Sequence, residues 1–218
     1  MDRKQGGVED LVISPQYLRH CDSIEKMSQS YRDRKMKFTT TPLKGAYTVN
    51  LEPERDERGA FMRTFCLNDF REIGFNGQIV QINQSMTKKK GTVRGMHYQI
   101  PPAGEIKIIR CLHGSVFDVM VDLRAQSSTF MQWHGVTLSK ENMRMVVIPE
   151  GFAHGFQSLT DETELLYLHS AFYSPGHERG LRFNDPVLAI EWPLSAGPVS
   201  AKDRSYRLIG NNRKDIAL

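Results

Sequence analysis

Cysteine is scarce in this chain: Cys21, Cys66 and Cys111 are the only three in 218 residues, and none is spaced as a C-x-x-C pair. A disulfide framework and a thiolate zinc site are therefore set aside, and Cys66 and Cys111 are expected as small core residues. Long apolar runs are missing too. No stretch reaches the length that spans a bilayer, and the opening MDRKQGGVEDLVISPQ has no apolar segment of the secretory kind. A cytoplasmic protein with no membrane partner is expected. Charge of one sign is also missing, since 29 basic and 25 acidic residues leave a net charge of only +4. The one basic run, Lys88-Lys89-Lys90, has no interleaved aromatics and reads as a solvated turn rather than a nucleic-acid surface. A small anion such as a diphosphate remains compatible with this balance.

What is present is a succession of short β-rich runs. They are expected over 46–51, 61–65, 78–85, 106–112, 116–123, 131–138, 144–148, 164–173 and 188–192, separated by Gly and Pro. From Lys37 onward helices are expected only over 67–73 and 202–208. Many short strands at this spacing predict an all-β sandwich or barrel of the antiparallel kind. Residues 1–35 differ: they are polar, mix both charges and read as an N-terminal extension, a mobile tail with a short helix over 17–27. The domain proper is expected over 36–218. Alternation along the runs is unusual for a core. Gln81, Asn83 and Ser85 share one face, as do Tyr167, His169, Ala171 and Tyr173, while Asp118 and Asp122 share a face with Val116 and Met120. A barrel with a polar and aromatic inner wall holds a ligand.

Two constellations stand out. One is Gly91-Thr-Val-Arg94-Gly95-Met-His97-Tyr-Gln99, followed by Pro101-Pro102, Glu105 and Lys107; the other is Pro149-Glu-Gly151-Phe-Ala-His154-Gly-Phe156. Together they resemble the two halves of the cupin signature, which implies a double-stranded β-helix, or jelly roll, with a few short peripheral helices. The first half departs from the metal-binding form. Where a metal cupin has H-x-H, this chain has His97-Tyr98-Gln99, and losing an imidazole weakens a site for Fe, Mn or Zn. No metal and no cofactor are expected, although His97, Glu105 and His154 keep a metal-dependent isomerase or dioxygenase open as an alternative. Arg94 and His97 differ by three, so a regular strand would aim them at opposite faces. A bulge at Gly95 is expected to bring both to one site.

A longer ordered set of phrases is more specific. Arg58-Gly-Ala-Phe61, Gln81-Ile-Asn83-Gln-Ser85, Arg94-Gly-Met-His97, Lys107, Phe117-Asp-Val-Met-Val-Asp-Leu-Arg124, Leu166-Tyr167, Tyr173, Glu191-Trp-Pro193 and Ser200-Ala-Lys-Asp203 resemble the dTDP-4-dehydrorhamnose 3,5-epimerase family over roughly residues 40–207. The resemblance implies epimerisation beside the ketone of a dTDP-4-keto-6-deoxyhexose in deoxysugar biosynthesis, with a homodimer as the working unit. It implies His97 as base, Asp203 as its partner, Tyr167 as the opposing acid and Lys107 as stabiliser of charge on the C4 oxygen. These assignments suit the chemistry, because imidazole is a base near neutral pH and a phenol can protonate the far face. Arg58 and Arg94 are expected on the diphosphate, where guanidinium forks match phosphate oxygens. Phe61 and Tyr173 are expected to sandwich the base, Gln81 and Asn83 to hydrogen-bond nucleotide or sugar, and His154 to support the inner wall. Arg63 stands where many family members carry an acidic residue, in a segment that crosses to the partner subunit, and is expected to bear on sugar or base preference. A silent sugar-nucleotide binding module is the third alternative; the joint presence of His97, Tyr167 and Asp203 argues against it.

Overall fold

The computed structural model of the protein describes residues 35–210, Ile216 and Leu218. The expected extension lies outside the described residues except for Lys35, and with it the expected helix over 17–27 and Cys21. In chain order the elements are β1 (Lys37–Thr40), β2 (Tyr47–Asn50), β3 (Glu54–Asp56), β4 (Gly59–Phe61), α1 (Leu67–Arg71), β5 (Gln81–Thr87), β6 (Val93–Gln99) and β7 (Lys107–His113). Then come β8 (Ser115–Asp122), β9 (Trp133–Ser139), β10 (Arg144–Ile148), β11 (Phe152–Ser158), β12 (Thr163–His169), β13 (Glu178–Gly180) and α2 (Ala201–Ser205).

The strands form a six-stranded sheet in the order β1-β2-β10-β7-β12-β5 and a five-stranded sheet in the order β13-β6-β11-β8-β9, with β3 and β4 as a separate hairpin. The strand pairs are antiparallel throughout. This is the expected jelly roll with two short helices. Between the sheets lies a core of Ile109, Cys111, Val116, Met120, Val146, Ile148, Phe156 and Leu165, with Tyr167 packed against it. Each fully buried side chain of this kind contributes roughly 1.5–3 kcal/mol. Cys111 is buried here, as expected, and Cys66 is a half-buried free thiol.

Both sheets are also covered on the outside, which explains why β8 is apolar on both faces. Val119 and Val121 point outward and pack with Met96, Leu181 and Leu188, against which Trp192 also rests. The outer face of the six-stranded sheet, with Ile108, Met145 and Leu168, is covered by Phe70 and Phe75 from α1 and the turn after it. That leaves Asp118 and Asp122 on the inner face of β8, the face they share with Val116 and Met120 as expected from the alternation. Asp122 is fully buried there and is satisfied by Arg124, Ser127 and Thr129.

Two expected runs turn out otherwise. The run over 61–65 ends at Phe61, where the β3–β4 hairpin stops; Phe65 packs instead against Phe70 at 4.8 Å between ring centroids. The run over 188–192 is not a strand. Its apolar side chains serve as a cover for the five-stranded sheet, and the Trp192 indole donates to the Phe183 carbonyl at 2.8 Å.

The bulge at Gly95 is present. His154 pairs with His97 and Phe156 with Arg94, so three steps on β6 oppose two on β11. Gly95 has φ +117°, and a Cβ there would lie 2.5 Å from Gly155 Cα. The two glycines thus allow a backbone approach that no side chain would tolerate.

Candidate active site

A cavity of about 650 Å³ opens between the two sheets at the level of this bulge. One wall belongs to β6 and β11. His97, half-buried, meets Asp203 through Nε2 at 2.7 Å. Asp203 sits in the first turn of α2, where Ser200 caps the helix by accepting from the Asp203 amide at 3.0 Å. Its second carboxylate oxygen accepts from the Gly95 amide at 3.3 Å, so the bulge and the dyad share a hydrogen bond. Burial pushes the Asp203 carboxyl up, but bonds from His97, Gly95 and the cap outweigh it and hold the carboxyl below its ordinary value. Beside this pair, across the β6–β11 ladder, stands a second. His154 Nε2 lies 2.8 Å from Asp118 Oδ2, and both side chains are buried.

The facing wall belongs to β7, β12 and β5. Tyr167 comes from the middle of β12, and its hydroxyl lies 3.4 Å from Ser85 Oγ on β5. Burial is the main cause that raises its phenol well above the ordinary value, so it stays protonated across the physiological range. Lys107 opens β7 and is ion-paired with Glu105. Glu105 also meets His169 Nδ1 at 2.7 Å. At the mouth, the Tyr173 hydroxyl donates to Glu178 Oε2 at 2.8 Å, and Lys202 reaches the same oxygen. Arg94 leans on the end of β5, donating to Thr87 Oγ1 and to the Met86 carbonyl.

His97, Tyr167, Asp203, Lys107, Asn83, Arg94, His154 and Tyr173 therefore line one cavity. The other expected residues do not. Gln81 accepts from the Tyr173 amide at 3.1 Å and so holds the loop that carries Tyr173. Arg58 pairs with Asp56 at the tip of the β3–β4 hairpin, and Phe61 on the same hairpin is 66% exposed. Arg63 pairs with Asp69 of α1 at 3.3 Å.

Four contributors were not singled out from the sequence. The sequence marks Asp118 only as a face-mate of Val116 and Met120, Glu105 only as a conceivable metal ligand, His169 only as a face-mate of Tyr167, and Ser200 only as part of a phrase. The available signal was the two-residue period, which puts Glu105 beside Lys107 and His169 beside Tyr167.

Gln99 occupies the place of the second imidazole of a metal cupin, and its amide is committed elsewhere. It donates to the carbonyls of Ala103 and Phe172 and accepts from the Ser174 amide at 2.6 Å. Among the described residues, no group of three or more His, Cys, Asp or Glu side chains is arranged to hold a metal ion. No helix among them is long and apolar enough to cross a membrane.

A jelly roll with a histidine on one sheet paired to an aspartate of α2, and a protonated tyrosine on the facing sheet with a lysine lining the same cavity, defines a cupin-type barrel equipped for proton transfer. The model of the dTDP-4-dehydrorhamnose 3,5-epimerase family matches residues 40–210. The chain is 48% identical to the dTDP-4-dehydrorhamnose 3,5-epimerase of Shigella flexneri over 149 residues, 68% of this chain and 82% of the relative. It is 36% identical to the dTDP-4-dehydrorhamnose 3-epimerase of Streptomyces niveus, over 82% of this chain and 86% of that one. The crystal structure of the dTDP-6-deoxy-D-glucose-3,5-epimerase of Legionella pneumophila in complex with dTDP-4-keto-L-rhamnose superposes with a TM-score of 0.78 at 37% identity, covering 84% of this chain and 97% of that one. The protein belongs to the dTDP-4-dehydrorhamnose 3,5-epimerase family and is an enzyme of the isomerase class.

Proposed function

We propose that the protein epimerises a dTDP-4-keto-6-deoxyhexose at C3 and C5 in deoxysugar biosynthesis. The C4 ketone acidifies the protons on both neighbouring carbons. With Asp203 accepting from His97 Nε2–H, the lone pair lies on Nδ1, and His97 takes the proton from carbon there. The electron pair moves onto the C4 oxygen, where the Lys107 ammonium stabilises the enolate. Tyr167 then gives its proton to the opposite face of the same carbon. Solvent reprotonates the phenolate and accepts the proton from the imidazolium. The observation that carries this mechanism is the placement of His97 and Tyr167 on facing sheets of a single cavity, with Lys107 on the tyrosine side. Arg94 at the rim is assigned to the diphosphate, Asn83 to the sugar nucleotide, Tyr173 to the base, and His154 to the wall beside His97.

The working unit is proposed as a homodimer. β5 is the edge of its sheet, and its outward residues Ile82 and Met86 are 61% and 63% exposed. Arg58, Phe61 and Arg63 stand away from this chain's cavity, on or just after the projecting β3–β4 hairpin. They are assigned to the site of the partner subunit.

Proton exchange tests the chemistry. In deuterated water with dTDP-4-keto-6-deoxyglucose, deuterium should enter at C3 and at C5, read by NMR. His97→Ala should abolish entry at both positions. Tyr167→Phe should leave exchange while removing most inversion, a loss on the order of 10²-fold or more. Label at one carbon alone would restrict the enzyme to a mono-epimerase. No label at either carbon would reject this substrate.

A further inference from the structure

Lys107 on β7 and His169 on β12 are direct partners across the ladder, and each is only 8% exposed. Two side chains that can both carry positive charge repel each other in such a position. Glu105, two residues before Lys107, bridges them. One carboxylate oxygen takes Lys107 Nζ and the other takes His169 Nδ1, so both oxygens are committed. Burial pushes the Glu105 carboxyl up, and the bonds from His169 and Lys107 outweigh that and hold it ionised. The far nitrogen of His169 lies 3.4 Å from Asn83 Nδ2. The imidazole ring lies nearly parallel to that of Tyr167, 14° between planes and 6.0 Å between centroids. One buried carboxylate thus ties the lysine at the enolate oxygen to the ring that backs the tyrosine.

Resting on the proton-transfer function proposed above, we infer that Glu105 is a positioning residue that, through Lys107 and His169, sets the ratio of inversion to simple exchange. The enolate has two fates. His97 returns a solvent-derived proton to the face it came from, which gives exchange with retention; Tyr167 protonates the other face, which gives inversion. The second fate depends on the alignment of the ring, held at its C4 oxygen by Lys107, against the Tyr167 hydroxyl. A misplacement of about 1 Å is enough to cost such a step on the order of 10²-fold. The first fate shares the enolate and its Lys107 contact but does not need alignment with Tyr167, because the base stands on the other sheet. Loosening the Lys107–Glu105–His169 tie therefore penalises inversion more than exchange.

The experiment uses the full chain and dTDP-4-keto-6-deoxyglucose in deuterated water, following deuterium in recovered substrate and in inverted product separately. Glu105→Gln keeps the shape and removes the charge. Inversion should fall about tenfold while exchange with retention falls much less, with KM changed by less than about twofold. In a Lys107→Ala background the same substitution should change the ratio less than it does in the native chain, because the part of its effect that passes through Lys107 is already lost. If exchange and inversion fall in parallel, the carboxylate is a structural ion pair only and the inference is overturned. If Glu105→Gln does not fold, His169→Leu, which has no donor for Glu105, cuts the same tie from its other end and is read by the same ratio. Absence of deuterium in the unsubstituted protein would overturn the proposed function, and this assignment with it.

Discussion

Asp203 serves His97 in a way that a neutral side chain cannot copy. In the proposed mechanism its carboxylate orients the ring, selects the tautomer and favours the imidazolium that forms when His97 takes its proton. Asp203→Asn keeps the size and loses all three effects, so turnover is expected to fall on the order of 10²–10⁴-fold with substrate affinity largely kept. The same residue leaves a mark on stability. Its carboxyl is depressed in the folded protein from an ordinary value of 3.8, chiefly by the His97 bond working against burial. A depressed acid contributes stability that is fully present above 3.8 and is lost as pH falls through the lower folded value. Melting temperature measured from pH 6 downward should drop steeply below about pH 4 in the native chain and less steeply in Asp203→Asn. Parallel curves would show that the pair adds nothing to acid stability.

At the scale of elements, the site depends on the β6–β11 contact. Gly95→Ala would place a Cβ 2.5 Å from Gly155 Cα and 2.7 Å from the His154 carbonyl, on a backbone at φ +117°. No flexible side chain is available to give way. The substitution is expected to destabilise by about 3 kcal/mol or more, and chemical denaturation would measure it. A loss under about 1 kcal/mol would mean that the bulge relaxes readily. This contact also shows what could be read in advance. The three-residue offset between Arg94 and His97 demanded a bulge, and Gly95 was the residue that permits one. Yet β6 and β11 themselves did not register as strands, because Gly95, His97, His154 and Gly155 break the apolar period that marks a strand. Function had displaced the pattern. The opposite error occurred over 188–192, where an apolar run looked like a strand. Apolarity reports burial, and covering a sheet buries side chains as well as joining one does. Glu105 and His169 were hidden for a third reason. Each lies two residues from a noted side chain, but the ladder that makes them neighbours pairs residues 107 and 169, a distance no local pattern carries.

For the whole molecule, the arrangement of the exposed surface sets the next expectation. Sedimentation equilibrium should give the mass of a dimer, and the same mass class should persist when residues 1–35 are removed, with turnover retained. Ile82→Lys together with Met86→Lys should shift the protein toward monomer, because charge on the outward face of an edge strand opposes apolar docking. A monomeric native chain, or a dimer indifferent to the double substitution, would place the interface elsewhere or remove it. The jelly roll itself also bears on what this barrel can become. Gln99 stitches together three separate backbone groups, the carbonyls of Ala103 and Phe172 and the amide of Ser174. Replacing it with histidine would restore the letters of a metal-binding motif while breaking those hydrogen bonds, each worth about 0.5–1.5 kcal/mol. The road from this epimerase to a metalloenzyme is therefore longer than one codon: the loops around residues 103 and 172–174 would have to be rebuilt before an ion could be held.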